Sequence, residues 1–173
     1  MKKIKSALIS LSNKSNLKPL LQELKKNNIK IISSGGTFKE IQKFKIRCLE
    51  VSNFTGFNEI LDGRVKTLHP KIHSGILNKR NDSSHLNDMK RNNFENIDLV
   101  VVNFYPFEKT IKKTNNHEKI IENIDIGGPT MVRAAAKNYH DVTVITSTDQ
   151  YSELINELKK NKGKTSLKFR QKM

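Results

Sequence analysis

The 173-residue chain has no tryptophan, one cysteine, four prolines and no long uninterrupted apolar segment. A lone thiol, Cys48, excludes an internal disulfide, and its strand-like neighbours indicate a small core residue rather than a nucleophile. A membrane-spanning helix needs about 20 apolar residues, and none is present. The first residues also lack the apolar core of a secretory signal. We therefore expect a cytoplasmic protein with no membrane partner.

Acidic residues are scarce relative to basic ones, which leaves a formal net charge of +15. A basic excess is typical of proteins that bind nucleic acid. Here, however, 26 of the 32 cations are lysines, spread along the whole chain without interleaved aromatic residues. No helix-turn-helix or zinc-finger spacing accompanies them. This pattern favours a drift in composition over a binding face, so we expect no nucleic-acid partner.

Apolar periodicity predicts strands alternating with helices. The predicted strands cover residues 4–10, 29–33, 46–51, 97–103 and 142–146. The predicted helices cover residues 15–27, 37–44 (with a Thr37/Glu40 capping box), a segment opening near 81, 129–138 and 150–160. Such alternation is typical of an α/β fold with a doubly wound, mainly parallel sheet and helices on both faces. We expect one domain over residues 1–160, followed by a basic, loop-like tail over 161–173.

In a parallel sheet, ligands bind beyond the carboxyl ends of the strands, and two polar segments follow the first two strands there. The segment 10–15 contains Ser12 and Lys14, and the segment 33–37 contains Ser34, Gly35, Gly36 and Thr37. Paired glycines and a helix N-terminus expose backbone N–H groups to an anion. We predict a phosphate cradle completed by the Lys14 ammonium and the hydroxyls of Ser34 and Thr37. The alternative is that Thr37 is a simple N-cap and the glycines a simple turn.

The segment Asp62–His73, with the sequence DGRVKTLHPKIH, places two fixed cations two residues apart. On extended chain, Arg64 and Lys66 project to the same side, which suits an anionic ligand rich in oxygen. The alternative is an exposed basic loop. His69 and His73 are four residues apart, but Pro70 lies between them and no third ligand is grouped with them, so we expect no metal site.

Two more polar segments lie beside predicted elements in the second half of the chain. Asn103 and Tyr105 lie where the apolar strand 97–103 ends, and Asp125 and Gly127 precede the Ala-rich helix that contains Lys137. The dipole of that helix favours a carboxylate near its start. The alternatives are that Tyr105 is an ordinary boundary aromatic, Asp125 a helix-end carboxylate and Lys137 a C-terminal helix cation.

Together these segments resemble the inosine monophosphate (IMP) cyclohydrolase domain. That domain is the N-terminal part of a bifunctional purine biosynthesis protein that also carries AICAR transformylase activity. The resemblance rests on SLSNK, SSGGT, the long DGRVKTLHPKIH segment, VVNFYPF and the stretch from Glu122 to Asn138. Asn13, Ser15 and Asn16 depart from the family's usual first loop, which puts the tightness of that loop in question.

The resemblance implies a methylglyoxal-synthase-like fold and ring closure of formyl-AICAR nucleotide (FAICAR) to IMP with loss of water. It implies no cofactor and no metal; 10-formyltetrahydrofolate would serve only the family's larger second domain, which we expect these 173 residues to lack. The implied catalytic residues are Lys66, Tyr105, Asp125 and Lys137. The implied substrate-binding and phosphate-binding residues are Ser12, Lys14, Ser34, Gly35, Gly36, Thr37, Arg64, Thr67, Asn103 and Gly127.

Three other functions stay open at this stage: a methylglyoxal-synthase-type lyase, a small-molecule binding module without chemistry, and a nucleic-acid module. A further expectation concerns Lys137. It lies about eight residues, or roughly 12 Å, past the predicted start of its helix, farther than a lysine side chain reaches back to Asp125. The two residues can act on one substrate if the ligand bridges them, if the helix is short or bent, or if a second chain supplies one of them. We favour the last of these, a homodimer.

Overall fold

The computed structural model describes all 173 residues. Its strands are β1 (Lys2–Lys3), β2 (Ser6–Leu11), β3 (Lys30–Ser33), β4 (Leu49–Glu50), β5 (Leu99–Asn103), β6 (Thr143–Ile145) and β7 (Lys164–Thr165). Its helices are α1 (Leu17–Lys26), α2 (Gly35–Lys43), α3 (Val51–Thr55), α4 (Pro70–Leu77), α5 (Ser83–Arg91), α6 (Phe107–Lys113), α7 (His117–Glu122), α8 (Gly127–Lys137), α9 (Tyr151–Lys160) and α10 (Leu167–Lys172). A single 3₁₀ turn over Thr148–Gln150 precedes α9. None of the helices is both long enough and apolar enough to span a bilayer.

Five strands form one parallel sheet in the order β4-β3-β2-β5-β6. The chain runs outward from β2 to β4 on one side, then returns to the other side of β2 to add β5 and β6. The strand order therefore reverses between β2 and β5, which is where α/β proteins of this type place their ligands. The α/β fold with a parallel, doubly wound sheet is confirmed.

Each face of the sheet carries its own apolar core because alternate residues of a strand point to opposite faces. On β2, Ala7 and Ile9 join a cluster with α1, α9 and the α2 residue Ile41, whereas Leu8 joins the second cluster. The second cluster contains residues of α3, α4 and α8. Burial on both faces explains why the central strands read as unbroken apolar runs.

The predicted loop-like tail over 161–173 is wrong. Residues 164–165 form β7, which pairs antiparallel with β1, and α10 follows. Phe169 is buried in the first core, and the guanidinium of Arg170 donates to the backbone oxygens of Tyr139, His140 and Thr165. Residues beyond 160 are therefore part of the same packed domain.

Other differences concern short elements. The predicted strand 46–51 is reduced to two residues, since Val51 already begins α3. Helices α3, α4, α6 and α7 were not predicted, although the helix opening near residue 81 is confirmed as α5, with Asp82 as its N-cap. The predicted capping box is absent because α2 begins at Gly35 and Thr37 lies inside it.

Candidate active site at the carboxyl edge of the sheet

The loop after β2 is fixed to the end of β5 at the point where the strand order reverses. The Asn103 side chain accepts a hydrogen bond from the Asn13 N–H and donates one to the Asn13 carbonyl, both at 2.8 Å. The Asn13 side chain accepts from the Ser15 N–H at 3.0 Å. These bonds hold the loop, so Asn13 does not loosen it. Asn103, predicted to bind substrate, uses its amide to position the Lys14 loop.

The start of α2 is built to receive an anion. Ser34 is the N-cap, its hydroxyl makes no capping bond, and the first turn contains no acidic residue. The first N–H groups of a helix have no intrahelical acceptor and carry the positive end of its dipole. The Lys14 ammonium lies 3.7 Å from the position that a Cβ on Gly36 would take. A cation and open N–H groups therefore surround one small space.

The Thr37 hydroxyl does not face this space. Its oxygen accepts from the Leu11 N–H at 2.9 Å and donates to the Leu11 carbonyl at 3.1 Å, and the side chain is buried. Thr37 therefore joins α2 to the end of β2, and the prediction that its hydroxyl contributes to the phosphate cradle is wrong. Only the backbone N–H of Thr37 remains available to a ligand.

The segment that contains Arg64 and Lys66 is a tight, left-handed loop. Ile60 and Val65 exchange backbone hydrogen bonds at 3.1 and 3.3 Å and close it. Leu61, Asp62 and Gly63 all have positive φ angles, of 55°, 53° and 84°. Leucine rarely adopts this conformation, which costs on the order of 1 kcal/mol, and strained residues of this kind cluster at functional sites.

This loop brings Lys66 to the start of α2. The Lys66 ammonium lies 3.6 Å from the position of a Cβ on Gly35 and 3.0 Å from that of a Cβ on Gly63. It also forms an ion pair with Glu59 at 3.3 Å. Lys14 and Lys66 therefore flank the same helix N-terminus, as expected if the two predicted segments form one site.

Two glycines at the start of α8 lie close to polar side chains, and one of these side chains, Thr67, belongs to the same segment. A Cβ on Gly127 would lie 2.7 Å from the hydroxyl oxygen of Thr67, and a Cβ on Gly128 would lie 2.6 Å from the Asp125 carboxylate. The Gly128 N–H donates to the Asp125 carboxylate at 2.8 Å. A side chain would clash with Thr67 at position 127 and with Asp125 at position 128, so the glycines allow α8 to begin close to each of these groups.

Three residues predicted to belong to the site lie at its exposed edge or away from the lysines, Thr67 and Asp125. Arg64 is exposed and pairs with Glu122 at 3.6 Å. Tyr105 is 55% exposed, and its hydroxyl has no hydrogen-bond partner within the chain. Lys137 is the last residue of α8, a helix that runs from the carboxyl edge of the sheet back to the amino edge before β6. At 1.5 Å per residue, roughly 15 Å of helix axis separates Lys137 from the Asp125 end.

The remaining titratable candidates have structural roles. The His69 Nδ1 accepts from the Lys71 N–H and caps α4, while burial lowers the pKa of His73. No group of three or more His, Cys, Asp or Glu residues is arranged to hold a metal. Cys48 lines a cavity of about 650 Å³ at the amino ends of β3 and β4, outside the candidate site, and burial and Glu50 raise its pKa to about 12.

Two features of the site were not predicted. The Glu59–Lys66 pair depends on the left-handed turn between these residues. Apart from Gly63, no local sequence pattern predicts that turn. The hydrogen bonds between Asn13 and Asn103 join positions 90 residues apart. The sequence placed both asparagines in the right loops, but it did not indicate that they bond to each other.

Comparison with known proteins adds two family matches. Residues 16–130 match the MGS-like domain, and residues 135–173 match the AICARFT/IMPCHase bienzyme family. A crystal structure of ForH superposes with a TM-score of 0.85 at 27% identity, covering 98% of this chain and 88% of that one.

Several curated relatives are named bifunctional purine biosynthesis protein PurH. The protein from Prochlorococcus marinus (strain NATL2A) is 56% identical over 94% of this chain, and that from Acetivibrio thermocellus is 50% identical over 98%. A third, from Dinoroseobacter shibae, is 47% identical over 98%. The chain spans about a third of the length of these relatives, since the matches cover 32%, 33% and 32% of them respectively.

Proposed function

Since the chain belongs to the MGS-like domain family and corresponds to the N-terminal, IMP cyclohydrolase part of the bifunctional purine biosynthesis proteins, we propose that it closes formyl-AICAR nucleotide to IMP. In this reaction the carboxamide nitrogen attacks the formyl carbon and a carbon–nitrogen bond forms. The formyl oxygen then leaves as water with one proton from each of the two nitrogens. Both reacting groups lie on one molecule, so we propose that no cofactor is needed.

One observation carries the proposal: Lys14 and Lys66 flank the start of α2, and Thr67 of the Lys66 segment lies against Gly127 at the start of α8, where the Gly128 N–H binds Asp125. A ribotide phosphate fits the open N–H groups and Lys14. Lys66 is then free to stabilise the negative charge that develops on the formyl oxygen. Asp125 keeps one carboxylate oxygen free of the Gly128 N–H, and that oxygen accepts the carboxamide proton. Tyr105, exposed at the rim, orients the formamide.

The proposal is tested by incubating the 173-residue polypeptide with formyl-AICAR nucleotide and following the absorbance of the purine product. We expect IMP to form. We expect no formylation of AICAR by 10-formyltetrahydrofolate, because the matched relatives are about three times longer and their additional length lies outside these residues. Tight binding of the nucleotide without IMP formation would favour a binding module instead.

We also propose that the active unit is a homodimer in which Lys137 of one chain serves the site of the other. Its support is the length of α8, which separates Lys137 from Asp125 within one chain. Small α/β domains readily build sites across a two-fold contact, where each chain contributes the same surface. Exposed apolar residues at α6, α7 and the loops beside them provide area for such a contact.

Lys14 contacts the ligand far from the reacting atoms, so its loss should weaken binding more than chemistry. We expect Lys14→Ala to raise KM by about 10- to 100-fold and to change kcat by less than about threefold. Steady-state kinetics with formyl-AICAR nucleotide measures both constants. Lys18→Ala, an exposed lysine on α1, is the matched control and should match the unsubstituted chain. An unchanged KM in Lys14→Ala would remove the first loop from the phosphate site.

A further inference from the structure

The start of α2 brings two lysine ammonium groups and one helix N-terminus together. Two ammonium groups, those of Lys14 and Lys66, lie within about 4 Å of the Cβ positions of adjacent glycines, at the positive end of a helix. Only one carboxylate, that of Glu59, pairs with either lysine. With no ligand bound, Glu59 therefore offsets the repulsion that would otherwise drive Lys66 into solvent.

Once a phosphate binds, the same carboxylate competes with it for Lys66. A phosphate dianion at the helix N-terminus attracts both ammonium groups, and a lysine side chain is flexible enough to move to it. The bond from Glu59 to Lys66 opposes that movement. It leaves Lys14 as the cation for the phosphate and keeps the Lys66 ammonium available for charge that develops elsewhere on the substrate.

We propose that Glu59 is a positioning residue that withholds Lys66 from the phosphate and so keeps it directed toward the reacting end of the nucleotide. The kinetic part of this inference rests on the proposed function, whereas its binding part does not. The Glu59 and Lys66 side chains are 57% and 31% exposed. Exposed pairs contribute little to folding stability, so variants at Glu59 should fold normally.

The test is the variant Glu59→Gln, which keeps size and hydrogen bonding but removes the charge. We expect IMP to bind about 3- to 10-fold more tightly, because Lys66 is released to the phosphate, while kcat for ring closure falls by about 10-fold. Calorimetry gives the IMP affinity and steady-state kinetics gives kcat. Tighter binding with slower turnover is a combination that simple damage to the site does not produce.

Three further variants sharpen the test. In a Lys66→Met background, Glu59→Gln should leave IMP affinity unchanged, since Glu59 acts only through Lys66. Glu59→Asp keeps the charge and should restore a large part of kcat. Asp62→Asn removes a carboxylate of the same loop, and this carboxylate forms no ion pair. The IMP affinity and the kcat of this variant should equal those of the unsubstituted chain.

The outcomes separate this inference from the proposed function. If the unsubstituted chain binds IMP but does not produce it from formyl-AICAR nucleotide, the proposed function fails. The affinity of Glu59→Gln for IMP then still tests the role of Glu59. If the chain is active but Glu59→Gln binds IMP more weakly or behaves like the unsubstituted chain, the inference about Glu59 is overturned while the function stands. An equal effect of Glu59→Gln in the Lys66→Met background would also overturn it.

Discussion

Replacing Lys66 with methionine is expected to slow ring closure by roughly 100- to 1000-fold, the usual cost of removing one group that stabilises a developing oxyanion. Methionine keeps the length and apolar stem of lysine, so the left-handed loop that Ile60 and Val65 close should persist. KM should change by less than about threefold, because the proposed phosphate site consists of Lys14 and the helix N-terminus.

The matched control for Lys66→Met is Lys39→Met, which removes an exposed lysine of α2 away from its N-terminus. Its kcat and KM should equal those of the unsubstituted chain. The reverse pattern in Lys66→Met, a large rise in KM with little change in kcat, would make Lys66 a phosphate ligand. That result would contradict the proposal that Lys14 binds the phosphate while Lys66 stabilises the developing charge. It would also contradict the role inferred for Glu59.

Mixed dimers that contain one Asp125→Ala chain and one Lys137→Ala chain should be active, although each variant alone should be inactive. If Lys137 serves the partner's site, one of the two sites in a mixed dimer has both residues and the other has neither. The expected activity is therefore about half that of the unsubstituted dimer. Co-expression of the two chains with different affinity tags allows the mixed dimer to be purified and assayed.

A dimer of two differently tagged Asp125→Ala chains is the control and should stay inactive. If the mixed dimer is also inactive, no site is shared between chains. Asp125 and Lys137 would then belong to one site within a single chain, with the ligand bridging the roughly 15 Å of helix axis between them.

The sheet could be predicted because each central strand has a recognisable pattern in its own local sequence. Residues such as Val100 and Val101 are buried on opposite faces, so the whole run is apolar and short, and polar loops bound it. The carboxyl ends of those strands then placed Ser34 and Asn103 at one edge without any knowledge of their contacts.

The errors arise where a residue's partner is distant in sequence. Thr37 has the spacing of an N-cap with Glu40, but its hydroxyl bonds to Leu11, 26 positions earlier. Phe169 and Arg170 look like part of a basic tail until their contacts with the core and with residues 139 and 140 are known. Helices α6 and α7 bury no residue, so they carry no apolar periodicity to detect.

Within the candidate site, the sequence indicated which loops meet but not how each side chain is used. The resemblance supplied Lys66, Asp125 and Lys137 as one set, whereas the fold separates Lys137 from the other two within a chain. Glu59 was not singled out because its pairing with Lys66 depends on the left-handed turn at Leu61 and Asp62, and leucine rarely adopts that conformation.

The bonds between Asn13 and Asn103 also bear on how the chain folds. They join segments 90 residues apart, and β5 can add to β2 only after the intervening chain has been ordered or looped out. Sheets dominated by such distant pairings fold slowly. We therefore expect the loops at the carboxyl edge to be completed late, and a ligand that binds only the finished edge would draw the whole chain toward the native state by mass action.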